Sequence, residues 1–260
     1  MVKLQPLINT DPLLKLLGWA GTTLLLLMVL TTLNISTAEA DEKIPAISGF
    51  AYTMSDNSDT QAPWLYREDY YFLTDNQVQV FYTNHSEQLI AEKVLDYATG
   101  RLTPSFIFED QRHQISKRVE VNASNVELYL KSGPQAERAT LERKKNQVVD
   151  AGFTAVIRNN WSALQAGQSI DFFFALPNRA TNARLAARQK KCPARMQANH
   201  CFEMALSNRF LAMFVDSITL GFDQQQRLTE YRGRSNLSDS TGGDQDVIIR
   251  YRYADPEQRL

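Results

Sequence analysis

The segment Val247-Ile-Ile-Arg-Tyr-Arg-Tyr253 alternates between two kinds of side chain. One phase of the alternation is apolar or aromatic throughout, whereas the other carries Arg250 and Arg252. A period of two residues is typical of a β-strand that buries one face and exposes the other. The segment therefore predicts a strand that packs one face on a core, and a β-rich domain around it.

Similar signals recur along the chain before this segment. Predicted strands cover residues 66–73, 77–83, 89–97, 126–131, 140–149 and 170–176. Turn-forming residues, Thr74-Asp75-Asn76, separate the first two strands and are typical of a hairpin. The last strand (IDFFFAL) is almost wholly apolar, which favours burial on both faces. We expect roughly seven to ten antiparallel strands in all.

One amphipathic helix interrupts the strand signals. Asp150 belongs to the residue types that cap helix N-termini, and Gly167 stands where a helix end favours a left-handed residue. Between them, apolar residues recur at spacings of three and four: Phe153, Val156, Ile157, Trp161 and Leu164. Strands and helices do not alternate, which excludes a doubly wound α/β fold. The sequence predicts a mainly β fold, either a curved antiparallel sheet or a partly closed barrel, with this helix (about residues 150–166) packed on it.

Residues 1–40 have the three parts of a secretory signal. Lys3 and Lys15 come before an uncharged apolar run over residues 16–33. The tripeptide Ala38-Glu39-Ala40 then fits the small-x-small rule of signal peptidase. We therefore expect export to the periplasm and an oxidising environment.

Cleavage after Ala40 would leave an irregular lead-in over residues 41–63 and a single β-rich domain over residues 64–260. The alternative is an uncleaved signal anchor, because the apolar run is close to the length that spans a bilayer. In that case the domain would be held at the inner membrane and face the periplasm.

Cys192 and Cys201 are the only cysteines. In an exported protein such a pair predicts a disulfide. His200 next to Cys201 leaves a metal site open as an alternative, although this spacing does not match the usual paired cysteines of zinc sites. Two free thiols are the third reading.

A basic run leads into the segment between the two cysteines. Its members are Arg179, Arg184, Arg188, Lys190 and Lys191. These side chains predict either a contact for an anion or a lipid head group or a solvated strand edge, where charge discourages unwanted pairing.

Overall charge and motifs exclude several function classes. The chain has 28 Lys+Arg against 29 Asp+Glu, a formal net charge of −1. This balance gives no support to nucleic acid as a partner. The three histidines are scattered, and the sequence contains no nucleophile elbow, no His-Glu-x-x-His and no phosphate-binding loop. We therefore assign no catalytic residue, metal ligand or cofactor from the sequence.

Two groups of motifs carry a resemblance. The first is residues 148–153 followed by Trp161 and residues 172–179; the second is residues 231–239 (Y-x-G-x-S-N-L-x-D), Gly242-Gly243 and residues 247–253. Together they resemble exported proteins of Gram-negative bacteria that belong to functionally uncharacterised families. The resemblance covers most of residues 65–253 and implies a periplasmic address without an activity. The architecture alone is similar to periplasmic lipoprotein carriers, which are open half-barrels that hold acyl chains beneath a helix.

Three functions follow as hypotheses. The first is a non-catalytic periplasmic protein that binds a lipid or another apolar or amphiphilic ligand, or that supports envelope assembly. The second is a protein-interaction or structural module that contacts an envelope protein. The third is a hydrolase of an envelope component, with a histidine or carboxylate pair assembled only in the fold.

Overall fold

The computed structural model describes residues 44–54, 63–208 and 217–254. Within these ranges the chain is mainly β and forms one large, curved, unclosed sheet with two α-helices. The predicted fold class is confirmed. The predicted signal segment, residues 1–40, lies outside the described residues. Among the described residues, no helix is long and apolar enough to cross a membrane.

The sheet has 15 strands, which form two successive runs along the chain. The first run is β1 (Ile47–Thr53), β2 (Tyr66–Phe72), β3 (Gln77–Asn84), β4 (Leu89–Asp96), β5 (Ser105–Asp110), β6 (Ile115–Val121), β7 (Asn125–Ser132) and β8 (Gln135–Glu142). The second run is β9 (Gln147–Val148), β10 (Ile170–Leu176), β11 (Thr181–Lys190), β12 (His200–Leu206), β13 (Ile218–Phe222), β14 (Leu228–Arg234) and β15 (Asp246–Tyr253). The second run also contains α1 (Gly152–Asn159), α2 (Trp161–Gln165) and a 3-10 turn, η1 (Pro177–Arg179).

Strand order follows chain order outward from a central pair, β1 and β15. These two strands are antiparallel, with Ile47 opposite Tyr253 and Thr53 opposite Val247. The spatial order is β8 to β1 and then β15 to β9, and every pair is antiparallel except β9 with β10. The two edge strands, β8 and β9, are therefore consecutive in the chain and are joined by residues 143–146.

The apolar phase of the strands defines the inner face of the sheet. In the first run and β15, this face carries a core that includes Tyr66, Tyr70, Val80, Leu95, Phe106, Phe108 and Leu128. In the second run, it carries Phe172, Phe202, Leu220, Phe222 and Leu228, covered by Val156, Ile157 and Leu164 of the helices. Tyr231 and Tyr251 pack against both cores. The inner face is thus filled largely by side chains of the protein itself.

The predicted helix is present but divided at Asn160 into α1 and α2. Trp161 packs edge-on against Phe202 and Phe222, at ring-centroid distances of 5.0 and 5.6 Å. The helices therefore pack on the inner face, as predicted. Gly167 has the expected left-handed backbone, with φ of 82°.

Asp150 does not cap the helix. The N-cap residue is Ala151, which makes no side-chain capping hydrogen bond. Asp150 instead adopts φ of 43°, which is a strained conformation for a residue with a side chain. Its carboxylate is engaged elsewhere, with Lys93.

The irregular lead-in predicted over residues 41–63 is wrong for residues 47–53. These residues form β1, which lies at the centre of the sheet between β2 and β15. The inner-face positions of β1 are Ile47, Gly49 and Ala51, so two of the three are small. Small inner residues hide the apolar alternation on which strand prediction depends.

Cys192 and Cys201 form a disulfide, which confirms the predicted pairing. The bond connects the residue two positions beyond β11 to a buried position of β12. It ties the connection between these strands to the sheet.

Candidate functional site

Charged side chains occupy several inner-face positions where the pattern calls for apolar residues. Glu68, Lys93 and Asp110 are respectively 3%, 3% and 2% exposed. Burying such groups is unfavourable unless each one finds a partner. Their partners therefore define a candidate site, which we call the inner cluster: Glu68, Lys93, Lys117, Asp110, Asp150 and the tyrosines that contact Glu68.

Glu68 projects from β2 between two tyrosine hydroxyls. The Tyr70 hydroxyl donates a hydrogen bond of 2.7 Å to Glu68 Oε2, and the Tyr251 hydroxyl lies 3.5 Å from the same oxygen. Burial raises the pKa of Glu68 to about 7, although the Tyr70 hydrogen bond and the Lys93 charge act in the opposite direction. The carboxyl group of Glu68 therefore changes between its protonated and its ionised form near neutral pH.

Gly49 makes room for the Tyr251 ring beside Glu68. It lies directly opposite Glu68 on one side and Tyr251 on the other. A Cβ atom at this position would lie 2.7 Å from Tyr251 Cε1. The absence of a side chain on β1 therefore lets the ring reach across the strand.

Lys93 forms an ion pair with Asp150. Its Nζ lies 2.9 and 3.1 Å from the two carboxylate oxygens, and the two side chains are 4% and 12% exposed. This ion pair connects β4 to Asp150, which lies two positions before the start of α1. Loss of the ion pair would leave a buried charge without a partner, which is costly. The ion pair therefore favours the backbone conformation that places the Asp150 carboxylate next to Lys93, even though this conformation is strained.

Lys117 lies on the same face, one strand beyond Phe108. Phe108 is opposite Lys93 on β4 and opposite Lys117 on β6. The two ammonium groups are 5.7 and 5.3 Å from the centroid of its ring. Burial lowers the pKa of Lys117, and the positive charge of Lys93 lowers it further.

The three carboxylates whose charges raise the pKa of Lys117 most already have cations of their own. Asp150 pairs with Lys93, Asp110 with Arg112 at 2.7 Å, and Asp244 with Arg234 at 2.6 Å. No carboxylate among the described residues forms an ion pair with Lys117. The inner cluster therefore presents one half-buried ammonium group without a counterion from this part of the chain.

A loop between β14 and β15, residues 235–245, covers part of the inner face; we call it the strap. Its two ends are close, because the Ser235 amide donates to the Gln245 carbonyl at 2.9 Å. The Tyr66 hydroxyl and Ser235 Oγ are 2.8 Å apart. Leu237, which is 1% exposed, packs in the same apolar core as Tyr66.

The far side of the strap is tied to the turn between β5 and β6. Arg112 donates a hydrogen bond of 3.1 Å to the Ser238 carbonyl, and His113 Nε2 lies 2.9 Å from the Asp239 carbonyl. Within the strap, Asp239 Oδ1 accepts hydrogen bonds from the amides of Thr241 and Gly243. The strap thus has hydrogen bonds of its own and is held to the first run by the side chains of Tyr66, Arg112 and His113 and by the packing of Leu237.

The predicted basic run lies along β11 and its flanks, away from the inner cluster. Arg184 pairs with Asp171 at 2.7 Å, and Lys190 pairs with Glu203 at 3.0 Å. Arg188 on β11 lies directly opposite Glu203 on β12. Arg179 lies in η1 and Lys191 follows the strand, so the strand separates these two. An anion contact by this run stays a prediction.

The three histidines lie apart. His85 packs edge-on against Trp64 at 4.8 Å. His200 is 5.2 Å from Trp161, and its Nδ1 is 3.2 Å from the Gln165 amide nitrogen. His113 binds the strap carbonyl described above. In the part of the chain that the structure describes, no group of three or more His, Cys, Asp or Glu side chains could hold a metal ion.

A pocket of about 400 Å³ opens at the surface between β10 and the end of β12. Its polar lining includes Asp171 and Arg184, which neutralise each other. The pocket is remote from the inner cluster in the sheet order, and its charges are already paired.

The inner cluster was not predicted from the sequence, although the sequence contains one signal of it. Glu68 stands between Tyr66 and Tyr70, and Lys93 between Ala91 and Leu95, in the apolar phase of their strands. A charge at such a position indicates either a buried partner or a ligand. Comparison of the chain with protein-family models, curated proteins and solved structures gives no match.

Proposed function

We propose that this chain is an exported, non-catalytic protein that binds an amphiphilic ligand on the inner face of the sheet, beneath the strap. The observation that carries the proposal is the mixed character of this face. It combines an aromatic and aliphatic surface with the buried side chains of Glu68 and Lys93 and the half-buried ammonium group of Lys117. An amphiphile has both an apolar and a polar part and can match both.

Leu237 supports the proposal because it occupies the position that an apolar ligand would need. Its side chain fills part of the apolar core of the first run. Movement of the strap would remove this side chain and expose the core beneath it. Hydrogen bonds with Tyr66, Arg112 and His113 hold the strap, and each contributes on the order of 1 kcal/mol net. Burial of the Leu237 side chain contributes about 2–5 kcal/mol more. A ligand can offset such a loss.

Export is supported by the N-terminal sequence and by the disulfide. Residues 1–40 have the charge and apolar pattern of a secretory signal. Disulfides between structural cysteines persist in oxidising compartments. Both features agree with a periplasmic address.

Ligand binding is tested by native mass spectrometry of the protein purified from its own cells without detergent. We expect an adduct that organic solvent extracts as a lipid-like molecule, and no adduct after unfolding and refolding in lipid-free buffer. Leu237→Ala removes the competing side chain, so we expect it to bind a fluorescent apolar probe several-fold more tightly than the wild type. Absence of an adduct together with absence of probe binding in both proteins would contradict the proposal.

The address is tested by the mass of the mature protein in a periplasmic extract. Cleavage after Ala40 predicts a chain that begins at Asp41. Recovery of the full-length chain from the membrane fraction would instead support the uncleaved anchor.

A further inference from the structure

We propose that the ligand is an anionic amphiphile and that the Lys117 ammonium group binds its negatively charged head group. This inference rests on the proposed function, because it assigns the ligand class of the same site. The head-group chemistry is a carboxylate or a phosphate, both of which accept hydrogen bonds from an ammonium group.

The first argument is the charge balance of the inner cluster. The three carboxylates that act most strongly on Lys117 belong to Asp150, Asp244 and Asp110. As described above, each of them is already paired with another lysine or arginine. The Lys117 charge is therefore left for a group that does not belong to the described part of the chain.

The second argument is the location of Lys117. It lies opposite Phe108 on β5 and opposite Leu130 on β7, on the inner face. Its ammonium group contacts the Phe108 ring at 5.3 Å and is withdrawn from water, which lowers its pKa. An anion next to this group would compensate the loss of hydration. The neighbouring aromatic and aliphatic side chains can contact the apolar part of the same molecule.

Lys93 does not provide the same opportunity. Its ammonium group already contacts both oxygens of Asp150. Lys131, on the adjacent strand β7, has an exposed side chain and lies opposite Ser116, outside the inner phase. Lys117 thus differs from Lys93 because no carboxylate of the described residues pairs with it. It differs from Lys131 because its side chain is half-buried on the inner face.

The experiment compares two ligands that share one chain and differ in charge, oleate and oleyl alcohol. Binding to the wild type, Lys117→Met, Lys117→Arg and the matched control Lys131→Met is measured by displacement of a fluorescent apolar probe. Ligand concentrations stay below those at which aggregates form. Circular dichroism and thermal melting establish that every variant is folded.

We expect the wild type to bind oleate at least tenfold more tightly than oleyl alcohol. Lys117→Met should lose this preference and keep its affinity for the alcohol, whereas Lys117→Arg and Lys131→Met should retain the preference. An arm with an oleoyl lysophosphatidate tests whether a phosphate takes the same place. Loss of oleate binding alone in Lys117→Met would assign a carboxylate, and loss of both would assign the shared negative charge.

The two proposals fail in different ways. Binding of neither oleate nor oleyl alcohol to any variant would overturn the proposed function. Equal binding of both ligands to the wild type, or a preference for oleate that persists in Lys117→Met, would overturn only the assignment of the anion to Lys117.

Discussion

The carboxyl group of Glu68 lies between two tyrosine hydroxyls in the interior, and its pKa is raised from 4.5 to about 7. The folded protein therefore holds this proton more tightly than the unfolded chain does. The resulting contribution to stability is fully present below pH 4.5 and is lost as the pH rises to about 7. Its magnitude is on the order of 3 kcal/mol.

Glu68→Gln should remove this dependence. The neutral amide keeps an oxygen that can accept the Tyr70 hydrogen bond, so we expect the variant to be more stable than the wild type above pH 7 and similar to it near pH 4.5. Urea denaturation at several pH values measures the difference. Glu127→Gln changes an exposed carboxylate and should leave the pH profile as it is. A wild-type profile that persists in Glu68→Gln would contradict the burial argument.

The buried ion pair gives a second prediction at the scale of single residues. Lys93→Met leaves the Asp150 carboxylate without its cation, which should destabilise the protein by roughly 3–5 kcal/mol. Lys93→Met combined with Asp150→Asn removes both charges and should recover part of this loss. The control is Lys144→Met, which breaks the exposed pair with Glu142 and should change stability by less than about 1 kcal/mol. Equal effects of Lys93→Met and Lys144→Met would contradict the proposed importance of burial.

At the scale of elements, the start of α1 depends on a close backbone contact. A Cβ atom at Gly152 would lie 2.0 Å from the Leu102 carbonyl oxygen. Since the obstacle is backbone, a small side-chain movement cannot relieve the clash. This contact places α1 against the loop after β4 and brings Asp150 towards Lys93.

Gly152→Ala should therefore destabilise the protein by about 1–3 kcal/mol, although alanine favours helices more than glycine does. Ser162→Ala, at an exposed position of α2, is the matched change and should be close to neutral. Chemical denaturation measures the free energy of unfolding of both variants and of the wild type. A stabilised Gly152→Ala protein would show that helix propensity outweighs the close contact.

The strap also makes a prediction at this scale. Leu237 is buried, so Leu237→Ala should destabilise the protein by about 2–5 kcal/mol. Leu73→Ala removes the same atoms at a position that is 46% exposed and should have little effect. If the strap packs as described, amide hydrogen exchange in residues 236–244 should accelerate more in Leu237→Ala than exchange in β14 and β15. Unchanged exchange in the strap would contradict its dependence on Leu237.

The strands β15 and β10 were predictable from their apolar residues, although β10 is only partly buried and is not covered on both faces as expected. The described residues form 15 strands rather than the seven to ten that were expected, because short strands such as β5, β12 and β13 were not recognised. Prediction failed for β1, where Gly49 and Ala51 replace large residues, and for β11, whose arginines and lysines were read as a basic run. The disulfide was predicted from the two cysteines and from the expected oxidising compartment. The inner cluster was not, because Lys93 and Asp150 are 57 positions apart. Only the fold shows which buried charges meet.

At the scale of the whole molecule, the disulfide closes a short connection between two strands of the second run. Replacing Cys192 and Cys201 with serine together should destabilise the protein by roughly 2–3 kcal/mol, since the loop between them is short. Thermal melting of the wild type with and without a reductant is the matching comparison and should show a similar loss. A melting temperature that is insensitive to both changes would contradict a stabilising role.

The path of the chain through the sheet allows the chain termini to be moved by circular permutation. Residues 46 and 254 are hydrogen-bonded neighbours, since the Ala254 amide donates to the Ala46 carbonyl at 2.9 Å. The two edge strands, in contrast, are joined along the chain by residues 143–146. A circular permutant of the described domain, with a short linker from 254 to 44 and new ends at 144 and 145, would keep every strand pair of the sheet. The chain termini can therefore lie either at the centre of the sheet, next to β1 and β15, or at its edges, between β8 and β9.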